Sequence, residues 1–207
     1  LLGEIISFVG DRCASTLARA FAVESAESLE LMMADLGDPE RASWEWGQRR
    51  AANRLEPAVP VELVPQDELL AKAANLDLLL IDAPACSRQA ALWLAQHALL
   101  TVVAMENGGD SLEDMIGLLA ALGEDGSAGK VIVALCDTDA EDQTELIRSR
   151  LGHAGCHVLA GEIPFSNSFR DLQRGGRAVS ECPRASLARE AQAVISAIQG
   201  EVASRLP

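Results

Sequence analysis

The sequence predicts an α/β protein with three layers, α/β/α, around a mainly parallel sheet of about seven strands. Strand-like apolar runs alternate along the chain with helical patterns of about 10–15 residues, the mark of βαβ units. Several runs, "LDLLLIDAP" (76–84) above all, are apolar without alternation, as strands buried on both faces are. The 207 residues, 49% of them hydrophobic, suffice for one domain spanning 1–207 that buries roughly 70% of its unfolded surface.

The elements follow in order. "EIISFV" is the first strand, and Ser15 to Glu27 forms a helix with apolar positions at Leu17, Ala20, Phe21 and Ala22. "LELMMADL" is the second strand and runs into "GDPERASWEWGQRR". The prolines of "EPAVPVELVP" restrict that stretch to a short edge strand or a loop. "DELLAKAAN" is helical and leads into the buried strand "LDLLLIDAP". Ser87 to Ala98 is a helix, "LLTVVAME" a strand and Ser111 to Leu122 a helix. "KVIVALCD" is a strand, Glu141 to Leu151 a helix, "CHVLAGEIP" the last strand and Ala185 to Ser204 the closing helix. No repeat, low-complexity tract or long linker divides the chain.

Charge and cysteine usage narrow the function. The net charge is −14, so counterion release, which drives nonspecific DNA binding, is opposed by the overall field. Fifteen of the seventeen basic residues are arginine; only Lys72 and Lys130 are lysine. The five cysteines are odd in number and contain no CxxC pair, which reads as reduced thiols and not as a disulfide framework or zinc site. Strand-like sequence begins within five residues of the first, leaving no room for a signal peptide. The most apolar segment, Ala91 to Met105, contains Gln96 and His97 and is too short to span a bilayer. A cytoplasmic protein is expected.

In a parallel sheet covered on both faces, ligands sit beyond the carboxyl ends of the strands. The polar strand ends are Gly10 to Thr16, Asp35 to Ser43, Asp82 to Pro84, Glu106-Asn107, Cys136-Asp137 and Pro164 onward. Together they resemble the ParA/MinD group of P-loop ATPases, which position plasmids, chromosomes and protein complexes. Aligned without gaps on that family's KGGxGK[ST]T loop, this chain reads Val9-Gly10-Asp11-Arg12-Cys13-Ala14-Ser15-Thr16. Asp38 lies 24 residues after Ala14, inside a Pro-x-x-x-Ser…Trp continuation that the family shares. "LLLIDAP" matches the family's Walker B strand at Asp82 and Pro84, and "EIPFSNSFRDLQRGGRAVSECPRASLAREAQAVISAI" resembles its closing segment.

The resemblance implies a P-loop NTPase-like fold and ATP or ADP with Mg2+ as cofactor. It implies that Gly10 to Thr16, Cys136 and Pro164 line the nucleotide, that Ser15 binds the metal with Asp82 behind it, and that Asp38 orients the attacking water. The departures are as informative. Val9 and Ala14 stand where the family has lysines, Asp11 and Cys13 where it has glycines, and Cys136 where an asparagine contacts adenine. Leu36 stands where the first acid of the family's DxD belongs, with Asp35 one residue away. Each lysine–phosphate contact is a charge-assisted hydrogen bond worth about 1.5–3 kcal/mol. Losing both weakens triphosphate binding by roughly 10²–10⁴-fold if nothing compensates. Hydrolysis, which rests on positioning and charge neutralisation, suffers more than binding.

Each residue also has a plainer reading. Arg12 is either a replacement phosphate clamp or a solvated loop residue. Ser15 can cap its helix instead of holding a metal, Asp82 can cap a turn, and Asp38-Pro39 is a common turn pair. Trp44 and Trp46 read as packing or interface residues. His97, His153 and His157 show no ligand spacing, and "GSAGKV" runs into a strand where a phosphate loop must open a helix.

Two functions stay open. One is a ParA-like partition or positioning protein with weakened nucleotide handling, served by a ParB-like partner or cargo adaptor. The other is a nonenzymatic scaffold or adaptor that keeps the fold and binds a partner protein. DNA contact through Arg170, Arg174, Arg177, Arg184 and Arg189 is conceivable but disfavoured by net charge. Without a lysine at position 9, the expected state is a monomer or a nucleotide-independent dimer.

Overall fold

The computed structural model describes residues 3–36, 41–106, 112–138 and 141–206. Seven parallel strands form one sheet: β1 (Glu4–Gly10), β2 (Leu31–Asp35), β3 (Val61–Leu63), β4 (Leu78–Pro84), β5 (Leu100–Glu106), β6 (Val131–Thr138) and β7 (Ile163–Pro164). Their spatial order is β3-β2-β4-β1-β5-β6-β7. The α/β sandwich expected from the sequence is the observed fold, and its two most apolar strands are central. β1 pairs with β4 from Glu4↔Leu78 to Gly10↔Pro84 and with β5 on its other side.

The helices are α1 (Cys13–Ser25), α2 (Ala42–Ala52), α3 (Leu69–Ala73), α4 (Arg88–His97), α5 (Leu112–Glu124), α6 (Glu141–His153), α7 (Asn167–Arg174) and α8 (Ala185–Arg205). They cover both faces because strand side chains alternate across the sheet. Ile6 and Phe8 of β1 point into one core with Leu17 and Phe21 of α1, Trp46 of α2 and Ile198 of α8. Ile5 and Val9 point into the other, with Leu69, Leu94, Met115 and Leu151. Each such buried side chain contributes about 1.5–3 kcal/mol of transfer free energy.

Three elements depart from the sequence reading. Helix α2 lies in a stretch for which the sequence reading predicts no element, whereas the proline-rich stretch forms a three-residue edge strand, β3, one of the two forms expected of it. The expected last strand shrinks to Ile163–Pro164, because an isolated bridge from Val158 to Val133 is followed by Gly161 at φ +79°, which turns the chain. The closing segment contains a helix that the periodicity did not announce, α7, whose N-cap Ser166 accepts from the Ser168 amide.

The closing segment is fastened to α2 by a buried ion pair. Arg50, 1% exposed, donates to both Glu181 carboxylate oxygens, at 2.7 and 3.3 Å, and also to the carbonyls of Pro57 and Gly176. Its guanidinium lies 5.5 Å from the ring centre of Trp46, whose indole donates to the Arg177 carbonyl. Gly176 adopts φ +81°, and a Cβ there would stand 2.4 Å from the Arg50 amide. Trp46 is therefore a packing residue, as one sequence reading had it.

Candidate functional site

The turn between β1 and α1 is closed by the chain's own groups. Gly10 has φ +103°, and a Cβ there would lie 2.3 Å from the Ala104 carbonyl of the neighbouring β5. Glycine at this position is thus required by the sheet itself. The Asp11 amide donates to Ala104, the Asp11 carbonyl accepts from the Ala14 amide, and Arg12 is the N-cap without a side-chain cap. Helix α1 starts at Cys13, two residues before the expected Ser15.

A helix N-terminus attracts anions, and here the anion is internal. Glu106, at the end of β5, accepts from the Cys13 amide through Oε1 at 3.1 Å. The Asp11 carboxylate in turn accepts from the Glu106 amide at 2.9 Å. Burial raises the Glu106 pKa, and the nearby Asp137 and Asp11 carboxylates raise it further, while the Cys13 amide and Arg12 pull it down. Three carboxylates therefore surround the position at which a phosphate loop would receive phosphate.

A cavity of about 550 Å³ opens beside this turn, lined among others by Arg12, Cys13, Thr16, Glu106, Asp137 and Arg170. Phe165 forms part of its rim, with the Arg170 guanidinium 5.3 Å from its ring centre. Asp137 has φ +51°, and burial raises its pKa, opposed by Arg170 and Arg12. Of the expected nucleotide-lining residues, Arg12, Cys13 and Thr16 reach this cavity. Ala14 and Cys136 are buried in the core behind it. Pro164 lies on β7 between Ile163 and Phe165, which do line it. Burial pushes the Cys13 thiol well above its ordinary pKa, reinforced by the adjacent Cys136 thiol.

A second group of polar residues sits deeper. Ser15 lies inside α1 rather than at its cap, and its hydroxyl donates to Asp82 Oδ1 at 3.0 Å. Asp82 is fully buried, and its Oδ2 has no hydrogen-bond partner among the described residues. Burial raises its pKa to about 6; the Arg19 guanidinium and the Ser43 and Ser15 hydroxyls hold it down, while Asp35 adds to the rise. Asp35 is the register partner of Asp82 on β2, and it accepts from the Trp44 amide at 2.7 Å. The sequence resemblance assigned both residues to a metal site; here they bond to each other directly. Asp38 and Asn107 lie outside the described residues.

Sequence reasoning missed Arg19, Gln173 and the role of Glu106. Arg19, 7% exposed, donates from Nε to Ser43 Oγ and from Nη1 to Gln173 Oε1, both at 2.8 Å. Gln173 also donates to Thr16 Oγ1 at 3.2 Å. The arginines proposed for DNA are partly engaged: Arg174 pairs with Asp171 at 3.3 Å, Arg177 approaches Glu181 at 4.0 Å, and Arg189 donates to the Ala185 carbonyl. No helix among the described residues is long and apolar enough to cross a membrane.

No family model matches the sequence. No curated protein matches it either. Solved structures do. The MinC:MinD cell division protein complex of Aquifex aeolicus superposes with a TM-score of 0.70 at 12% identity, covering 95% of this chain and 96% of that one. A ParA family ATPase from Chlorobium tepidum gives 0.66 at 15% identity, over 92% of this chain and 96% of that one. An ATP complex of a Cyanothece McdA variant gives 0.65 at 14% identity, over 95% and 96%. Identities this low speak for architecture alone, and the architecture is the MinD/ParA-like P-loop fold.

Proposed function

We propose that this chain is a ParA-like positioning or partition protein that acts by binding a protein partner, with weakened nucleotide binding and little or no hydrolysis. The observation that carries the reading is the Glu106 carboxylate on the Cys13 amide. A polyphosphate at the α1 N-terminus would displace that carboxylate and then face Asp11 and Asp137, with Arg12 and Arg170 the cations lining the cavity among the described residues. The loop offers no lysine between positions 9 and 16. These residues do not fit a magnesium–triphosphate, although Ser15 and Asp82, the residues that the sequence resemblance assigns to a metal site, lie in hydrogen-bond contact.

The likeness to a MinC:MinD complex supports a protein partner, here a ParB-like protein or cargo adaptor. A role as a nonenzymatic adaptor is favoured by the same internal carboxylate, because it holds the loop without any ligand. DNA binding through the closing arginines is disfavoured by the net charge of −14. We place the protein in the cytoplasm.

Isothermal titration with ATP and ADP in magnesium tests the reading. Affinity no tighter than millimolar, with no turnover at millimolar ATP, is the expected result. Robust magnesium-dependent turnover by the parent, abolished by Asp38→Ala, would overturn it.

A further inference from the structure

The cavity beside the α1 turn is lined by charges of both signs that do not pair with each other. The carboxyl ends of β1, β5 and β6, neighbours in the sheet, lead in turn to Arg12, Glu106 and Asp137, and α7, which follows β7, adds Arg170. In sheet order the two acids thus lie between the two arginines. Among the described residues neither guanidinium forms an ion pair or a hydrogen bond, and the Asp137 carboxylate accepts none. Glu106 uses Oε1 on the Cys13 amide. The neutral polar groups of the lining are engaged instead. Gln173 accepts from Arg19 and donates to Thr16, and the Ser166 hydroxyl accepts from the Ser168 amide.

A ligand of one sign answers only half of this lining. A polyphosphate suits the arginines and is repelled by the acids; a polyamine does the reverse. A dipolar ligand offers a charge to each pair and adds no net charge to a chain at −14. The planar fork of an arginine matches a carboxylate. Arg170 lies 5.3 Å from the Phe165 ring centre, and stacking uses the face of a guanidinium and leaves the N–H edge free. An ammonium, compact and with three donors, suits a place between two carboxylates. Phe165, 46% exposed, and the buried Phe169 and Ile163 supply an apolar wall. The volume of about 550 Å³ lies within the roughly 300–1,000 Å³ of small-molecule sites. We propose that this cavity binds a free α-amino acid with an apolar side chain. Its ammonium sits at Glu106 and Asp137, its carboxylate at Arg170 with Arg12 in support, and its side chain against Phe165. Such a ligand is separate from the protein partner proposed above.

Calorimetry with L-phenylalanine and L-leucine, without nucleotide or magnesium, tests it. At least one should bind saturably with a dissociation constant below about 1 mM. The amide of that amino acid, which lacks the carboxylate, and its N-acetyl derivative, which lacks the ammonium, should each bind at least about tenfold more weakly. Arg170→Gln should weaken the amino acid at least about tenfold and leave the amide unchanged. Asp137→Asn should weaken the amino acid and leave the N-acetyl derivative unchanged. No binding of either amino acid at about 10 mM would overturn the proposal, as would equal affinity for the amino acid and its two derivatives. Unchanged affinity in both folded variants would place the ligand elsewhere and overturn it too. The derivatives are titrated into the parent, so they decide even where a variant fails to fold. The two readings fail separately: ATP turnover overturns the proposed function, and absent amino-acid binding overturns only this site.

Discussion

The Cys13 amide and the Glu106 carboxylate, 93 positions apart in the chain, meet at 3.1 Å across the end of the sheet. The contact satisfies one of the amides that every helix start leaves open, and it places a negative charge where the α1 dipole is positive. Glu106→Ala should therefore cost about 1 kcal/mol of stability. Glu106→Gln, which keeps an acceptor oxygen, should cost less. Urea midpoints of the three proteins check this; equal midpoints would mean that the amide is served as well by water.

Much of the fold was legible and little of the site was. β1 and β4 declared themselves because strands buried on both faces need apolar residues on both. β7 was expected within "CHVLAGEIP", but its extent was not legible, because two paired residues leave no pattern. The Ser15–Asp82 contact was reachable only through motif resemblance, since the two residues lie 67 positions apart. Glu106 could be flagged as a polar strand end, but its partner is set by how β5 lies beside β1, which no local pattern encodes. Arg19 was hidden for another reason. One arginine among Leu17, Ala18, Ala20 and Phe21 reads as the solvated edge of a helix, yet α1 is covered by α2 and α8 and that edge is interior.

Asp82 predicts a pH dependence. Its folded pKa, about 6, exceeds the value of about 3.9 for an unfolded chain. The folded state thus binds the proton more tightly, and this group's contribution is fully favourable below the unfolded pKa. Stability is lost as pH rises from about 4 through about 6, by on the order of 2–3 kcal/mol. The groups facing Asp82 are Arg19, Asp35 and the Ser15 and Ser43 hydroxyls. Asp82→Asn should flatten the slope, and denaturant midpoints of parent and variant across that window measure the difference. Parallel curves would remove Asp82 as the source.

Arg50→Ala should be among the most destabilising single changes in the chain. It leaves the Glu181 carboxylate, 15% exposed, without its bidentate partner and opens space beside Trp46. Breaking a buried pair from one side costs about 3–5 kcal/mol. Adding Glu181→Gln should return part of that loss, because the stranded charge is then gone. A double variant no more stable than Arg50→Ala would assign the cost to packing.

Light scattering should give one mass with and without ATP. Val9 is fully buried in the core shared with Leu79 and Leu94, so it offers no contact to a second copy across a nucleotide. Arg12 is exposed at the turn and is the residue to replace if ATP does shift the mass. Loss of that shift in Arg12→Ala would then identify it as the substitute.

The closed loop makes a prediction about repair. Restoring the lysine alone, Ala14→Lys, should do little for ATP. Ala14 is fully buried, so the new ammonium must leave the core toward the cavity, where Glu106 and Asp137 are the lining carboxylates. It pairs with them, and the Cys13 amide stays occupied. Glu106→Ala alone frees the amide but supplies no cation for the phosphates. Only together do the two changes provide an open helix start and a charge above it. The double variant Ala14→Lys/Glu106→Ala should therefore bind ATP at least about tenfold more tightly than the product of the two single effects predicts, a coupling of about 1.4 kcal/mol. Titration calorimetry on the four proteins closes the cycle. Simple additivity, or a full gain from Ala14→Lys by itself, would show that the internal carboxylate yields to nucleotide without resistance.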